Sequence, residues 1–149
     1  MSLLTEDNQQ PYAIDLFDNL HTNGAGYDIL RYLALPELFG DERDTLLYFT
    51  GRKLARHFAM ETLNDLYEAF EKLGWGKLEM TKEKRKELTF SLMSDSVVQR
   101  LEAPFPIEFR LESGFIAEAI EMIFDAGTEC VEEIHEKIRQ VEFTVVYTA

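Results

Sequence analysis

At 149 residues, with 46% hydrophobic, 12% aromatic and 29% charged side chains, the chain has the composition of one globular domain with a real core, not of a disordered segment. Its formal net charge of −13 sets the whole-protein field against nucleic acid and against anionic membrane surfaces. No run approaches the ~20 apolar residues of a membrane span, and the start MSLLTEDNQQPY has neither a basic region nor an apolar stretch, so the sequence predicts a cytoplasmic protein without a transmembrane segment.

Residues 1–10 are polar and aperiodic and read as an N-terminal tail, leaving 11–149 as a single domain. Tyr12 to Leu20 carries apolar residues at 12, 13, 16, 17 and 20, the spacing of a short amphipathic helix. His21 to Gly26 breaks it. Gly24 and Gly26 form a lone GxG with no preceding strand and no third glycine, which is a turn and not a phosphate cradle.

Tyr27 to Phe39 resumes a helical pattern, with Pro36 kinking or restarting it, Gly40 ending it and Asp41 placed to cap the next helix. From Thr45 to about Leu73 the pattern is helical again, with a break expected near Met60 to Leu63. Leu47, Gly51, Leu54, Phe58 and Thr62 share one face, and Arg52, Lys53, Arg56 and His57 lie largely opposite, where they read as solvated charges. Gly51 costs about 1 kcal/mol against alanine in a helix interior; on an apolar face it marks the close approach of another backbone.

Between Trp75 and Met93 the period changes to two. Leu78 and Met80 answer Leu88, Phe90 and Leu92, while Lys77, Glu79, Thr81, Thr89 and Ser91 point the other way, and Lys82 to Lys86 (KEKRK) forms the hairpin tip. Ser94 to Leu101 reads as a short helix capped by serine or aspartate, and Ala103 to Pro106 as an extended link. The stretch Phe109 to Gly127 is a helix that seeks burial nearly all round. Gly114, Glu118, Glu121 and Asp125 form a narrow polar stripe, the rest is apolar, and Gly127 sits where a left-handed stop is expected. Burying its larger apolar side chains is worth roughly 2 kcal/mol each. Thr128 to Glu136 fits a helix or a strand; Val141 to Thr148 alternates as a final strand, with Val146 its one apolar outward residue.

No zinc-protease pair, nucleophile elbow, phosphate loop or spaced cysteine pair is present. His57 and Glu61, one helical turn apart, read as a surface ion pair in preference to metal ligands. Glu112 and Glu118 on the central helix read as a cap interaction and a solvated stripe in preference to an acid–base pair. Cys130, the single cysteine, has no internal disulfide partner and reads as a small core hydrophobe in a reducing compartment.

Ile29 to Phe58 (ILRYLALPELFGDERDTLLYFTGRKLARHF), Phe109 to Ala119 (FRLESGFIAEA) and Val141 to Tyr147 (VEFTVVY) resemble the YslB-like family of Gram-positive bacteria, which is similar to the 4-vinyl reductase domain and to TRAPP transport-complex subunits. That superfamily is described as ligand-binding domains in nitric oxide signalling and Golgi transport. The resemblance implies an α+β fold, a four-stranded antiparallel sheet with helices packed on one face as in TRAPP subunits, and it makes Thr128 to Glu136 a strand. It also implies self-association through helices. Where the 4-vinyl reductase domain has cysteines thought to bind metal, this chain has His135 and Glu142, so the expectation is no metal and no cofactor.

The function expected is therefore a non-enzymatic binding or scaffold domain, a homodimer able to engage a protein partner, with no catalytic residues. Leu47, Gly51, Leu54, Phe58, Phe115 and Ile116 are the expected packed, dimer-face or cavity-lining surface. The alternative is a small-molecule sensor holding a lipid or other apolar ligand in a cavity beside the central helix.

Overall fold

The computed structural model describes residues 11–15 and 24–148. Most of the amphipathic stretch expected at Tyr12 to Leu20, and the expected tail, lie outside them. Tyr12 itself forms an isolated parallel bridge with Phe58, its N–H donating to the His57 carbonyl at 2.6 Å.

A helical run enters as α1 (Ala25–Ile29), passes through a π-helical turn at Leu30–Ala34 and leaves as α2 (Leu35–Phe39). Pro36 supplies the reason. It has no N–H for the carbonyl four residues back and its ring crowds that carbonyl, so a regular α-helix cannot pass through it unaltered. The wider turn absorbs the misfit, the Leu35 N–H donating to the Leu30 carbonyl five residues back. Within it two successive side chains, Arg31 and Tyr32, are both buried. Gly40 ends the run at φ +57°. Asp41 is not the cap that its position suggests: it lies in a 3-10 turn, Gly40–Glu42, and the helix after that turn begins without a side-chain cap.

The long helix expected from Thr45 is two helices, α3 (Arg43–Ala55) and α4 (Leu63–Lys72). Thr62 is not a face residue; it caps α4. Its hydroxyl accepts from the Asp65 N–H at 3.3 Å while the Asp65 carboxylate accepts from the Thr62 N–H at 3.1 Å, a reciprocal box that starts a new helix.

The strands β1 (Lys77–Glu83), β2 (Glu87–Met93), β3 (Thr128–His135) and β4 (Gln140–Tyr147) form one antiparallel sheet in the order β1-β2-β4-β3. Register follows the apolar alternation: Leu78 pairs with Leu92, Met80 with Phe90, and Phe90 with Phe143. Leu88, Phe90, Leu92, Val141, Phe143 and Val145 are thereby buried on one face, while Val131 and Val146 are exposed on the other. The helices α5 (Asp95–Glu102) and α6 (Arg110–Phe124) complete the α+β fold. Ser94 caps α5, accepting from the Val97 N–H at 3.1 Å. Phe70, Trp75 and Phe115 meet edge to face beneath α6, with centroids 5.0 to 5.9 Å apart.

Helix α6 ends earlier than its sequence pattern suggests. The left-handed residue is Asp125 (φ 52°), not Gly127. At Gly127 a Cβ would meet only the hydroxyl of the exposed Thr148, 2.6 Å away, a side chain that can turn aside.

Of the polar stripe of α6, Gly114 and Glu118 face α3 and not solvent, Glu121 is half-buried and Asp125 is exposed. At Gly51 a Cβ would overlap the Leu111 carbonyl oxygen, and at Gly114 it would overlap the Tyr48 carbonyl oxygen. The two backbones touch, each helix using a glycine to admit the other. Gly114→Ala should therefore lower stability by about 2–3 kcal/mol, against the ~1 kcal/mol that alanine normally adds to a helix. Gly26→Ala, with open space around its Cβ position, should be neutral or mildly stabilising. Urea midpoints check both, and equal midpoints for Gly114→Ala and wild type would mean that the helices cross with room to spare.

Candidate functional site

Bringing α6 into contact with α3 and α5 buries carboxylates that need partners, and arginines meet them. Glu112, in the first turn of α6, is fully buried. It accepts from Arg31 (Nη2 to Oε1 at 2.6 Å, Nη1 to Oε2 at 2.9 Å) and from Arg100 Nη1 at 2.9 Å. Arg31 also grips Glu108 with Nε at 3.0 Å and Nη2 at 2.7 Å, and donates to the Tyr27 hydroxyl at 2.9 Å. The Tyr32 hydroxyl accepts from Arg100 and donates to the Glu108 carbonyl, both at 3.1 Å. Two arginines and two glutamates thus form a closed, formally neutral network.

Burial alone raises the Glu112 pKa; Arg31 and Arg100 outweigh it and bring the carboxyl down to about 2. Burial pushes the Tyr32 hydroxyl upwards, so it stays protonated and able to donate. One donor is left over. Arg100 Nη2 is shut away from water and meets no acceptor, a deficit of about 1–3 kcal/mol for a buried group. The guanidinium lies 4.5 Å from the Phe109 ring centroid, which supports it from one side.

A second network joins α3, α6 and β3. Arg52 Nε donates to Glu118 at 3.0 Å, Nη1 to the Thr128 carbonyl at 2.9 Å and to Glu129 at 2.8 Å, and Nη2 to Glu121 at 2.9 Å. Arg56 takes the other Glu118 oxygen at 2.9 Å. The expectation of solvated charges at Arg52 and Glu118, and of a cap interaction at Glu112, is therefore overturned. These residues sit where helices cross, and a face shared with a neighbouring helix is buried whatever its polarity.

The surface residues expected from sequence fall inside the monomer. Leu47, Gly51, Phe58, Phe115 and Ile116 are buried and Leu54 is partly so. His57 and Glu61 are not one helical turn apart, because α3 ends at Ala55. Cys130 is a core residue, as its residue type suggested, with burial holding its thiol up to about 12. The three residues best placed among those described to meet a metal are Glu133 and Glu142, opposite each other on β3 and β4, and His135, with donor atoms within 4.8 Å of one another.

Three clefts matter for ligands. One of ≈ 650 Å³ lies between the β1–β2 tip and the ends of α6 and β4, lined by Arg85, Lys86, Phe124 and Tyr147. Another, ≈ 500 Å³, runs between α4 and β1 past Tyr67, Glu68 and Glu71. The third, ≈ 340 Å³, opens between α1, the α4–β1 turn and α5; Tyr27, Asp28, Trp75, Gln99 and Arg100 line it. None of the three is lined by the six residues expected to line a cavity. Sequence reasoning missed Arg31, Arg100, Tyr32 and Glu108. The available signal was Arg31, a lone cation inside the apolar run ILRYLAL.

Glu112→Gln should cost about 3–5 kcal/mol, because it leaves buried guanidinium charge uncompensated; Glu61→Gln, at an exposed position, should stay within about 0.5 kcal/mol of wild type. The depressed Glu112 pKa sets a pH signature. Its contribution is full above the ordinary value of 4.5 and is lost as pH falls towards about 2. Urea midpoints between pH 6 and 2.5 should show the gap between wild type and Glu112→Gln narrowing as the solution is acidified. A gap independent of pH would contradict the network.

The family described as "Protein of unknown function (DUF2507)" matches residues 24–146. The chain is 32% identical over 133 residues to the Bacillus subtilis (strain 168) protein named "Uncharacterized protein YslB", spanning 89% of this chain and 90% of that one. In three dimensions it is similar to the crystal structure of a vinyl-4-reductase family protein from Methanocaldococcus jannaschii, with a TM-score of 0.63 and 16% identity over 91% of this chain and 88% of that one, a likeness of fold. With sequence matched across nearly all of its length, the chain belongs to the DUF2507 family.

Proposed function

We propose that this protein is a non-enzymatic binding or scaffold domain of the cytoplasm that works as a homodimer, paired through the outer surface of its first helices. One observation carries the reading. Ile29 (49% exposed), Leu30 (55%), Leu33 (42%), Leu38 (73%), Leu46 (40%) and Phe49 (54%) succeed one another along the run from α1 to the first turns of α3. An apolar series of that length on consecutive helical turns is the kind of surface that a partner covers. A second copy offers the same series to itself about a two-fold axis. A role without catalysis fits the ionisable networks, in which the buried carboxylates are engaged by arginines. The single buried cysteine suits a reducing compartment.

Among the described residues no helix is long and apolar enough to cross a membrane. The apolar-ligand sensor reading draws less support, since the residues expected to line its cavity pack within the core.

Light scattering on the eluting protein at tens of micromolar should give twice the 17.3 kDa chain mass, and Leu38→Glu combined with Phe49→Glu should halve it with little change in thermal stability. Because each chain carries −13, added salt should strengthen association by screening repulsion between copies. A monomer mass for wild type under these conditions sinks the proposal.

A further inference from the structure

We propose that the cleft between α1, the α4–β1 turn and α5 binds a small monocarboxylate, held at its floor by Arg100. Three arginines are buried among the described residues, Arg31, Arg52 and Arg100. Every side-chain nitrogen of Arg31 donates to an acceptor, and so does every one of Arg52. Arg100 donates through Nη1 alone, to Glu112 and Tyr32, and its Nη2 has no acceptor. Arg100 also lines a cleft. The incomplete arginine and the cleft coincide.

The chemistry of the walls selects the ligand class. Arg100 shares its carboxylate, Glu112, with Arg31, which has Glu108 as well, so Arg100 is the less fully answered charge of the pair. A guanidinium fork matches the two oxygens of a carboxylate. Nη2 is shut away from water as it stands, so the proposal requires the Arg100 guanidinium to turn this edge towards the cleft, where an entering carboxylate gives it an acceptor. Tyr27, Leu73 and Trp75 offer apolar surface for the body of the molecule, and the Gln99 amide offers a further hydrogen bond. Asp28 in the same lining, and the net charge of −13, set the limit of one negative charge on the ligand. At ≈ 340 Å³ the space suits a molecule of few heavy atoms.

Trp75 is the only tryptophan in the chain and lines the cleft, so its emission reports occupancy without a label. Wild-type protein would be titrated at constant ionic strength with acetate and butyrate, and in parallel with butyramide and sulfate. The expected result is a saturable change with the two carboxylates and none with butyramide or sulfate. Gln99→Phe, an exposed substitution that places a ring over the cleft without touching the Glu112 network, should weaken binding at least about tenfold. Arg100→Lys should abolish it, with circular dichroism confirming the fold; should that variant unfold, the Gln99 substitution still decides the question.

The proposal is overturned by no saturable change with either carboxylate, by an equal response to butyramide or sulfate, or by undiminished binding in Gln99→Phe. The mass measurement of the dimer is read separately, so either idea can fail while the other stands.

Discussion

The contact to which the rest of the molecule accommodates is the crossing of α3 and α6, where Gly51 and Gly114 remove the side chains that would hold the two backbones apart. Close approach carries a consequence for everything beside it. Arg52, next to Gly51 on α3, and Glu118, one turn beyond Gly114 on α6, are drawn into the same narrow space and must answer each other's charge. The crossing also fixes α6 over the sheet, where Phe115, Ile116 and Ile120 join Phe90, Leu92, Val141 and Phe143 in one core. A helix apolar on nearly every side can be stable here because the sheet, α3 and α4 all pack against it.

Electrostatics then decides what the interior tolerates. Burying Glu112 and Glu118 would be prohibitive alone; each is compensated by two arginines, and the hydrogen bonds tie together segments distant in sequence. Such networks specify geometry more than they add stability, since a guanidinium accepts few arrangements of carboxylates. The π turn before Pro36 belongs to the same scheme, because within it Arg31 reaches Glu108 and Glu112 while its neighbour Tyr32 links Glu108 to Arg100. Against this tightly paired background an idle guanidinium edge at Arg100 stands out, and its place beside a cleft gives it a chemical meaning.

The outer surface divides by chemistry. The far face of the sheet is dominated by charged and hydroxyl side chains, with Met93, Val131 and Val146 as its exposed apolar members, which suits contact with water. The apolar surplus lies on the opposite side, on the helices from Ile29 to Phe49, and that asymmetry is what the dimer reading rests on.

Much of the fold is legible along the chain, because alternation at Leu78, Met80, Leu88, Phe90 and Leu92 and again at Val141, Phe143 and Val145 dictates strands, their register and their buried face. The need for a close backbone approach at Gly51 is legible too, as an unexplained cost in a helix. Thr128 to His135 is not: a short run that fits both periods becomes a strand through its ladder to β4, a partner that local pattern does not contain. The candidate site was least legible of all. Glu112, Glu118 and Arg52 look like ordinary surface charges, since single-helix periodicity measures polarity and a stripe facing another helix looks the same as one facing water. Composition and spacing determined three of the four strands and the lack of recognised motifs, and the family resemblance supplied the α+β class and the remaining strand. Only tertiary structure decided which charges are buried, which arginine lacks an acceptor and which apolar side chains remain uncovered, because each depends on what an element is packed against.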